Sequence, residues 1–218
     1  MNKRIIIQCD FDGTITNKDI SFRILEKYAT CDWKAELKRY MAGEITVGQF
    51  NYNAFISVKE DRETLIKYIR EIAETRKGVA DFFDFCIQHD FDLKVVSNGL
   101  ALYINQMLGD IGYGNLPVFA ASSEFTEQGM HSVYYDPFGQ PTLSEYKESY
   151  SRYFKDRADE VVYIGNGSSD FPPASICNYV FSTDVLSRMC AKNGIPHTHF
   201  EDFQTVIHGL KQRYLSNG

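Results

Sequence analysis

Arg4-Ile5-Ile6-Ile7-Gln8-Cys9 runs directly into Asp10-Phe11-Asp12-Gly13-Thr14-Ile15-Thr16. The first part is a β-branched apolar run that stops at an Asp/Gly cluster, the pattern of a strand buried on both faces of a parallel sheet. Side chains two residues apart on an extended chain point the same way, so Asp10 and Asp12 share a face. Two acids carried by a buried apolar strand favour a functional site over the competing reading, a turn with solvated carboxylates.

After Gly78 the rhythm alternates helix and strand. A helix with apolar face Val79, Phe82, Phe83 and Cys86 precedes a strand at Asp92–Val96, and Leu100, Ile104, Met107 and Leu108 define the next helix. Pro117–Ala121, Val161–Ile164 and Tyr179–Phe181 read as further strands. Phe203, Val206, Ile207 and Leu210 make a closing helix. Residues 122–141 carry the Gly and Pro punctuation of a small hairpin. Thr142-Leu-Ser-Glu145 has the capping-box pattern, which places Lys147 in the first turns of a helix. The sum is an α/β fold, a Rossmann-like parallel sheet covered by helices.

Residues 16–78 break that rhythm. Ile20, Ile24, Leu25 and Tyr28 share a helical face, as do Leu65, Ile69, Ile72 and Ala73. Thr46-Val-Gly-Gln49 fits a capping box between them, and no strand signal interrupts the stretch. The expected organisation is an α/β core of residues 1–15 and 79–218 with an α-helical insert, 16–78. Charge agrees: residues 14–78 hold 12 basic and 10 acidic side chains, against 11 and 19 in the remainder.

Composition narrows the class. The 218 residues are 44% hydrophobic and 24% charged, as in ordinary globular proteins. A net charge of −6 argues against nucleic acid as a partner. No run approaches the ~18 apolar residues of a membrane span. The five cysteines share no Cys-x-x-Cys spacing and read as reduced, buried thiols, so a cytoplasmic protein is expected. Oligomeric state leaves no signature.

In a sheet of this kind, ligands bind beyond the carboxyl ends of the strands. Four segments lie there. Asp10 and Asp12 end the first strand. Ser97-Asn98-Gly99 follows the second, where amides at a helix start and the Ser97 hydroxyl suit an anion. Lys147 sits near a helix start, where the macrodipole disfavours a cation. Gly165-Asn166-Gly167-Ser168-Ser169-Asp170 is a glycine-rich loop whose oxygen ligands suit a hard cation such as Mg²⁺.

Taken together, Asp-x-Asp-Gly-Thr, a serine 87 residues on, a lysine 50 further and Gly-Asn-x-x-x-Asp ending 23 later resemble the four motifs of the haloacid dehalogenase-like superfamily. Within it, the chain looks like the branch with a helical cap between the first two motifs, which includes phosphoserine phosphatase and the methionine-salvage phosphatases. The resemblance implies a Mg²⁺-dependent phosphomonoesterase acting on a small phosphorylated metabolite, possible substrates including a sugar-derived phosphate of the methionine-salvage type. Asp10 would form an aspartyl phosphate, with Asp12 as general acid and then base. Phe11, Asp12, Ser97, Asn98, Gly99 and Lys147 would hold the phosphate, and Asp10, Asp12, Asn166 and Asp170 the metal. Asn166 departs from the family's usual Asp. That leaves open a weaker metal site, lost activity, or a substitution introduced to trap a complex, and with them a phosphate-binding protein. A phosphotransferase or mutase on the same scaffold is the other enzymatic alternative.

Substrate choice is expected to sit in residues 14–78, the segment that covers the crevice. Asp19 stands where the phosphoserine enzymes carry a Glu that meets the substrate amine. Trp33, Tyr40, Phe50, Tyr52 and Phe55 either contact an apolar substrate end or form core. Arg23 and Lys27 either steer an anion or are solvated, and His197 and His199 have only a superficial likeness to a metal pair.

Overall fold

A computed structural model of the chain describes residues 3–215. At its centre is β1 (Ile5–Cys9), with all five residues buried. The parallel neighbours β2 (Asp92–Leu100) and β6 (Glu160–Gly165) flank it, and Cys9 is in register with Val95 on one side and Ile164 on the other. Outside these lie β3 (Val118–Thr126) on one side, and β7 (Tyr179–Ser182) and β8 (Thr198–His199) on the other, all parallel. An antiparallel edge, β4 (Gly129–Tyr135) and β5 (Pro141–Thr142), completes the order β5-β4-β3-β2-β1-β6-β7-β8. This shared register delivers Asp10, Ser97 and Asn166 to the same edge of the sheet.

Four helices intervene between β1 and the next core element: α1 (Ile20–Tyr28), α2 (Trp33–Met41), α3 (Val47–Phe55) and α4 (Arg62–Ile72). Each starts at a side-chain cap. Asp19, Asp32, Thr46 and Asp61 accept from the amides of Phe22, Ala35, Gln49 and Thr64, and Thr46 with Gln49 forms the expected capping box. The core helices are α5 (Val79–Gln88), α6 (Ala101–Asp110), α7 (Tyr146–Lys155), α8 (Phe171–Ile176), α9 (Asp184–Lys192) and α10 (Phe203–Leu210). Ile24, Phe55 and Leu65 of the insert belong to the same buried cluster as Ile6, Val95 and Phe203. The insert therefore packs onto the sheet's core without a separate one of its own.

The two passes joining core and insert are laced together. Thr16 bridges Thr75, and the Arg76 amide donates to Ile15 O at 2.7 Å. The Arg76 guanidinium donates to Gly13 O at 2.6 Å, Thr14 O at 2.9 Å and Glu201 O at 3.0 Å.

Three local expectations are corrected. Residues 16–78 do contain one strand-like bridge, because the exit and return passes run side by side. The hairpin expected within 122–141 is present, formed by the end of β3, which runs on to Thr126, and β4, and it makes the sheet's antiparallel edge. Ser97–Gly99 does not open a helix. It lies within β2, where the register with β3 shifts between Val96 and Leu100, and α6 begins only at Ala101. Thr142-Leu-Ser-Glu145 makes no capping box, since Thr142 is taken by its pairing with Tyr134 and its hydroxyl donates to Ser144 O. α7 starts instead after Glu145, whose φ of 51° is left-handed, and Lys147 is its second residue.

Candidate active site

The turn after β1 is tightly specified. The Asp10 amide donates to Ile164 O at 2.9 Å, tying the strand's end to β6. Gly13 follows with φ of 73°, a conformation that only glycine adopts at low cost, and a Cβ there would run into the Asn166 side chain. Close approach of the first and fourth segments thus depends on that glycine.

Asp10 and Asp12, Ser97–Gly99, Lys147 and Asn166 converge on one cleft of about 440 Å³ between the strand ends and the insert. Lys147, 2% exposed, places Nζ 2.6 Å from Asp10 Oδ1 and 2.6 Å from Asp170 Oδ1. Asp170 is wholly buried and does not line the cleft. Its oxygens also accept from Tyr163 OH at 2.6 Å and from the amides of Asn166 and Gly167 at 2.9 and 2.8 Å. Its hydrogen bonds serve the loop and Lys147. Gln8 anchors the lysine's helix from below, donating to Lys147 O at 3.0 Å and accepting from Ser151 Oγ at 2.7 Å.

Burial dominates the electrostatics. It pushes Asp10 up to about 7, with the Asp170 charge adding to the rise and Lys147 opposing it. Burial also works against the charge of Lys147, but Asp10 and Asp170 outweigh it, so the lysine titrates well above its ordinary range. The two directions pull differently on one pair. An ammonium held by two carboxylates at 2.6 Å requires at least one of them ionised, which favours the charged pair. Asp12 is pushed up to about 8 by burial and then by Asp19, against hydrogen bonds from Tyr103 and Ile20. Its Oδ1 accepts from Ile20 N at 2.7 Å and its Oδ2 from Tyr103 OH. A carboxyl with that pKa holds its proton at neutral pH. Asp19 caps α1, lines the cleft and is pushed up to about 6 by burial.

The fit of this site to a hard cation turns on Thr14. Its hydroxyl lies 3.2 Å from Asp10 Oδ2 and 3.0 Å from Asn166 Oδ1, and one hydrogen satisfies only one acceptor at a time. A carboxylate oxygen and an amide oxygen are left sharing one donor, and both are the hard ligands that Mg²⁺ takes. The Asp12 carboxyl is turned to Ile20 and Tyr103, so the oxygen it has to offer is its main-chain carbonyl. Among the described residues no three His, Cys, Asp or Glu side chains group closely enough for a metal.

The Ser97 loop is gripped from outside the core motifs. Ser97 Oγ accepts from the Gly99 amide at 3.0 Å, so that amide is already engaged. Asn98 O accepts from Asn51 Nδ2 of α3 at 2.8 Å and from Tyr134 OH of β4. Asn98 Oδ1 is buried without a partner. Asn51, Tyr103 and Tyr134 were not singled out by sequence. Each reaches the site from dozens of residues away, and periodicity marks them only as core.

The insert contributes an apolar wall of Phe22, Leu37, Tyr40, Met41, Val47 and Phe50. Of the aromatics considered above, Tyr40 and Phe50 face the cleft, stacked at 5.9 Å; Trp33 stacks on Phe22, Phe55 is core, and Tyr52 meets His131. Arg23 pairs with Glu26 and Lys27 lies over the Tyr68 ring, both away from the cleft. His197 bonds Ile195 O, and His199 bonds Ser187.

The model of the haloacid dehalogenase-like hydrolase family matches residues 7–175. The 2-hydroxy-3-keto-5-methylthiopentenyl-1-phosphate phosphatase of Brevibacillus brevis is 25% identical over 216 residues, 97% of either chain. Its namesake from Bacillus cereus strain B4264 is 30% identical over 214 residues, 95% of this chain and 96% of that one. Among solved structures, a substrate-bound phosphoserine phosphatase complex superposes with a TM-score of 0.71 at 15% identity, covering 96% of this chain and 99% of its own. A phospho-aspartyl intermediate analogue of phosphoserine phosphatase gives 0.69 at 16%, with the same coverage. At that identity the likeness is one of fold.

Proposed function

The chain belongs to the haloacid dehalogenase-like hydrolase family, and on that premise we propose that it is a phosphomonoesterase that hydrolyses a small phosphorylated metabolite through an aspartyl phosphate on Asp10. The observation that carries this reading is the meeting of Asp10, Asp12, the Ser97 loop and Lys147 in one cleft, with Lys147 in contact with the Asp10 carboxylate.

In the proposed mechanism Asp10 attacks phosphorus through Oδ1, the oxygen beside Lys147, which leaves Oδ2, beside Thr14 and Asn166, for the metal. A carboxylate approaching a phosphate meets repulsion of about 4 kcal/mol per unit pair at 4 Å and an effective dielectric near 20. Lys147, buried and charged, offsets it, and Asp170 keeps the ammonium aimed at the site. Asp12 holds the proton that the leaving alcohol needs and takes one back from the water that hydrolyses the aspartyl phosphate. Ser97 and the main chain at Phe11, Asp12 and Asn98 would receive the phosphoryl oxygens. Asp10, Asn166 and the Asp12 carbonyl would hold Mg²⁺, which when bound would neutralise phosphate charge. Residues 16–78 would act as a cap that excludes water and selects substrate.

The relatives' names suggest the substrate. They are phosphatases of a methylthio-pentenyl phosphate, and the wall formed by Phe22, Leu37, Tyr40, Met41, Val47 and Phe50 suits an apolar end beyond a phosphate. Asn166 favours one second reading, a phosphate-binding protein with little turnover. Phosphate release from a panel of small phosphomonoesters, with Mg²⁺ and with chelator, tests both. Release that requires Asp10 and the metal supports the phosphatase; binding of a phosphate mimic without turnover supports the alternative.

A further inference from the structure

We propose that Tyr103 is a positioning residue for the proton-transferring carboxyl of Asp12, and that Ser21 of the insert holds Tyr103 in that role. The inference rests on Asp12 being the general acid.

Tyr103 lies on α6, wholly buried, with its ring 6.0 Å from that of Phe11. Its hydroxyl bonds Asp12 Oδ2 on one side and Ser21 Oγ at 2.9 Å on the other. The Ile20 amide donates to the other Asp12 oxygen at 2.7 Å. A carboxyl tethered at both oxygens cannot turn about its Cβ–Cγ bond without breaking a tether. Each oxygen keeps a second lone pair, so the proton can leave and return while both tethers stay in place. The polarity of the Tyr103 link is also adjustable: both hydroxyls can donate or accept, whereas the Ile20 amide only donates.

Space for this contact is built into the second motif. A Cβ on Gly99 would collide with the Tyr103 hydroxyl and fall 2.5 Å from Asp12 Oδ2. The glycine, expected to serve the phosphate, therefore also clears room for the phenol. Ser21 is 6% exposed, lines the cleft and belongs to α1. Seating of the insert's first helix is thereby linked to the orientation of the acid twice, directly through the Ile20 amide and indirectly through the Ser21–Tyr103 hydroxyl pair.

The step at stake is the first. A bond forms from Asp10 to phosphorus, the bond from phosphorus to the leaving oxygen breaks, and that oxygen takes the proton from Asp12. An ester whose leaving group is stable as an anion does not need the proton; an alkyl ester does. The test compares kcat/KM, which reports this step, for p-nitrophenyl phosphate and glycerol 2-phosphate in the parent, Tyr103→Phe, Ser21→Ala and Asp12→Asn.

Tyr103→Phe is expected to lower the glycerol ester about tenfold or more, within the range general-acid catalysis supplies, and the nitrophenyl ester by less than about threefold. Ser21→Ala, which leaves the phenol in place, should show the same selectivity at smaller size. Equal losses on both esters, or no loss on either, would overturn the inference, with thermal unfolding checking that the variants fold. If Asp12→Asn discriminates between the esters and Tyr103→Phe does not, the positioning role is wrong while the acid stands. If Asp12→Asn itself fails to discriminate, the premise falls and this inference with it.

Discussion

Lys147 Nζ lies 2.6 Å from Asp10 Oδ1 with both side chains all but sealed from solvent, at 2% and 5% exposure. Removing one partner of a buried pair strands the other, at a cost of roughly 3–5 kcal/mol. Lys147→Met, which keeps the length and loses the charge, should destabilise by about that amount in urea unfolding. It should also cut phosphate release by a factor on the order of 10² or more. Adding Asp10→Asn to Lys147→Met should recover part of the stability and none of the activity. A double variant no more stable than the single would mean that Asp10 is not the charge left unpaired.

Asp12 carries a sign that runs opposite to most carboxylates. Its folded pKa of about 8 is raised above the unfolded value near ~3.9. The stability this contributes is complete below about pH 4 and drains away as pH rises through about 8. Asp12→Asn keeps an acceptor for Ile20 and a group able to bond Tyr103, and it has no proton to lose. With chelator present, its melting temperature should match the parent near pH 4 and exceed it increasingly up to pH 8–9. At roughly 2–4 °C per kcal/mol for a chain of this size, the gap is readily measured. A constant gap across pH would show that Asp12 is not the group responsible. The same proton predicts that kcat/KM on alkyl esters falls as pH climbs past about 8.

How much of this was legible beforehand depended on distance along the chain. The buried strand and the Thr46–Gln49 box are local patterns, and each stands where periodicity and capping chemistry put it; Asp12 lies in the turn beyond the strand, where two-residue alternation no longer sets its direction. Asp10 and Lys147, 137 residues apart, could be joined only through resemblance to four ordered motifs. The Ser97 segment reads as a helix start because a register shift inside a strand has no local signature. The same holds for Thr142, whose capping pattern is real but whose pairing with Tyr134 is non-local. Tyr103, Asn51 and Tyr134 looked like helix or strand core, and only three-dimensional contact distinguishes them from it.

Thr14 offers one hydrogen to oxygens of both Asp10 and Asn166, and the amide brings no charge to a cation. Asn166→Asp adds one. The half-saturating Mg²⁺ concentration for phosphate release should drop about tenfold or more, on the scale of a charge pair worth ~1.4 kcal/mol or above. Chelator should abolish release in both proteins. A titration in which the parent binds Mg²⁺ as tightly as the variant would remove Asn166 from the metal site.

Asn51 and Tyr134 converge on one carbonyl, Asn98 O, beside the loop expected to hold phosphate. Losing a hydrogen bond to a buried acceptor costs about 1–3 kcal/mol. Tyr134→Phe removes one of the two donors and leaves the ring packed on Tyr146. It should raise KM for phosphoesters about five- to tenfold with a smaller change in kcat, following that range of energies. Asn51→Ala should do the same, and the double variant should exceed either. A change confined to kcat would show that the grip serves the chemical step instead.

Arg76 joins the return pass of the insert to the loop that presents Asp12. Its guanidinium reaches Gly13 O, Thr14 O and Glu201 O and lies 5.5 Å over the Phe200 ring. A lysine would bring one point charge to these carbonyls in place of a rigid fork that gives each its own nitrogen. Hydrogen bonds from a charged donor contribute about 1.5–3 kcal/mol each when shielded. Half-buried, Arg76 should provide the lower end of that range, so Arg76→Ala should cost about 2–3 kcal/mol in urea unfolding. Arg76→Lys should recover less than half. Because Gly13 O and Thr14 O belong to the turn after Asp12, the loss should also appear in kcat, even at temperatures where the variant is fully folded. An Arg76→Ala protein with lowered stability and parent kcat would confine the residue to fastening insert to core, whereas a kcat deficit that Arg76→Lys shares would place it in the alignment of the catalytic turn.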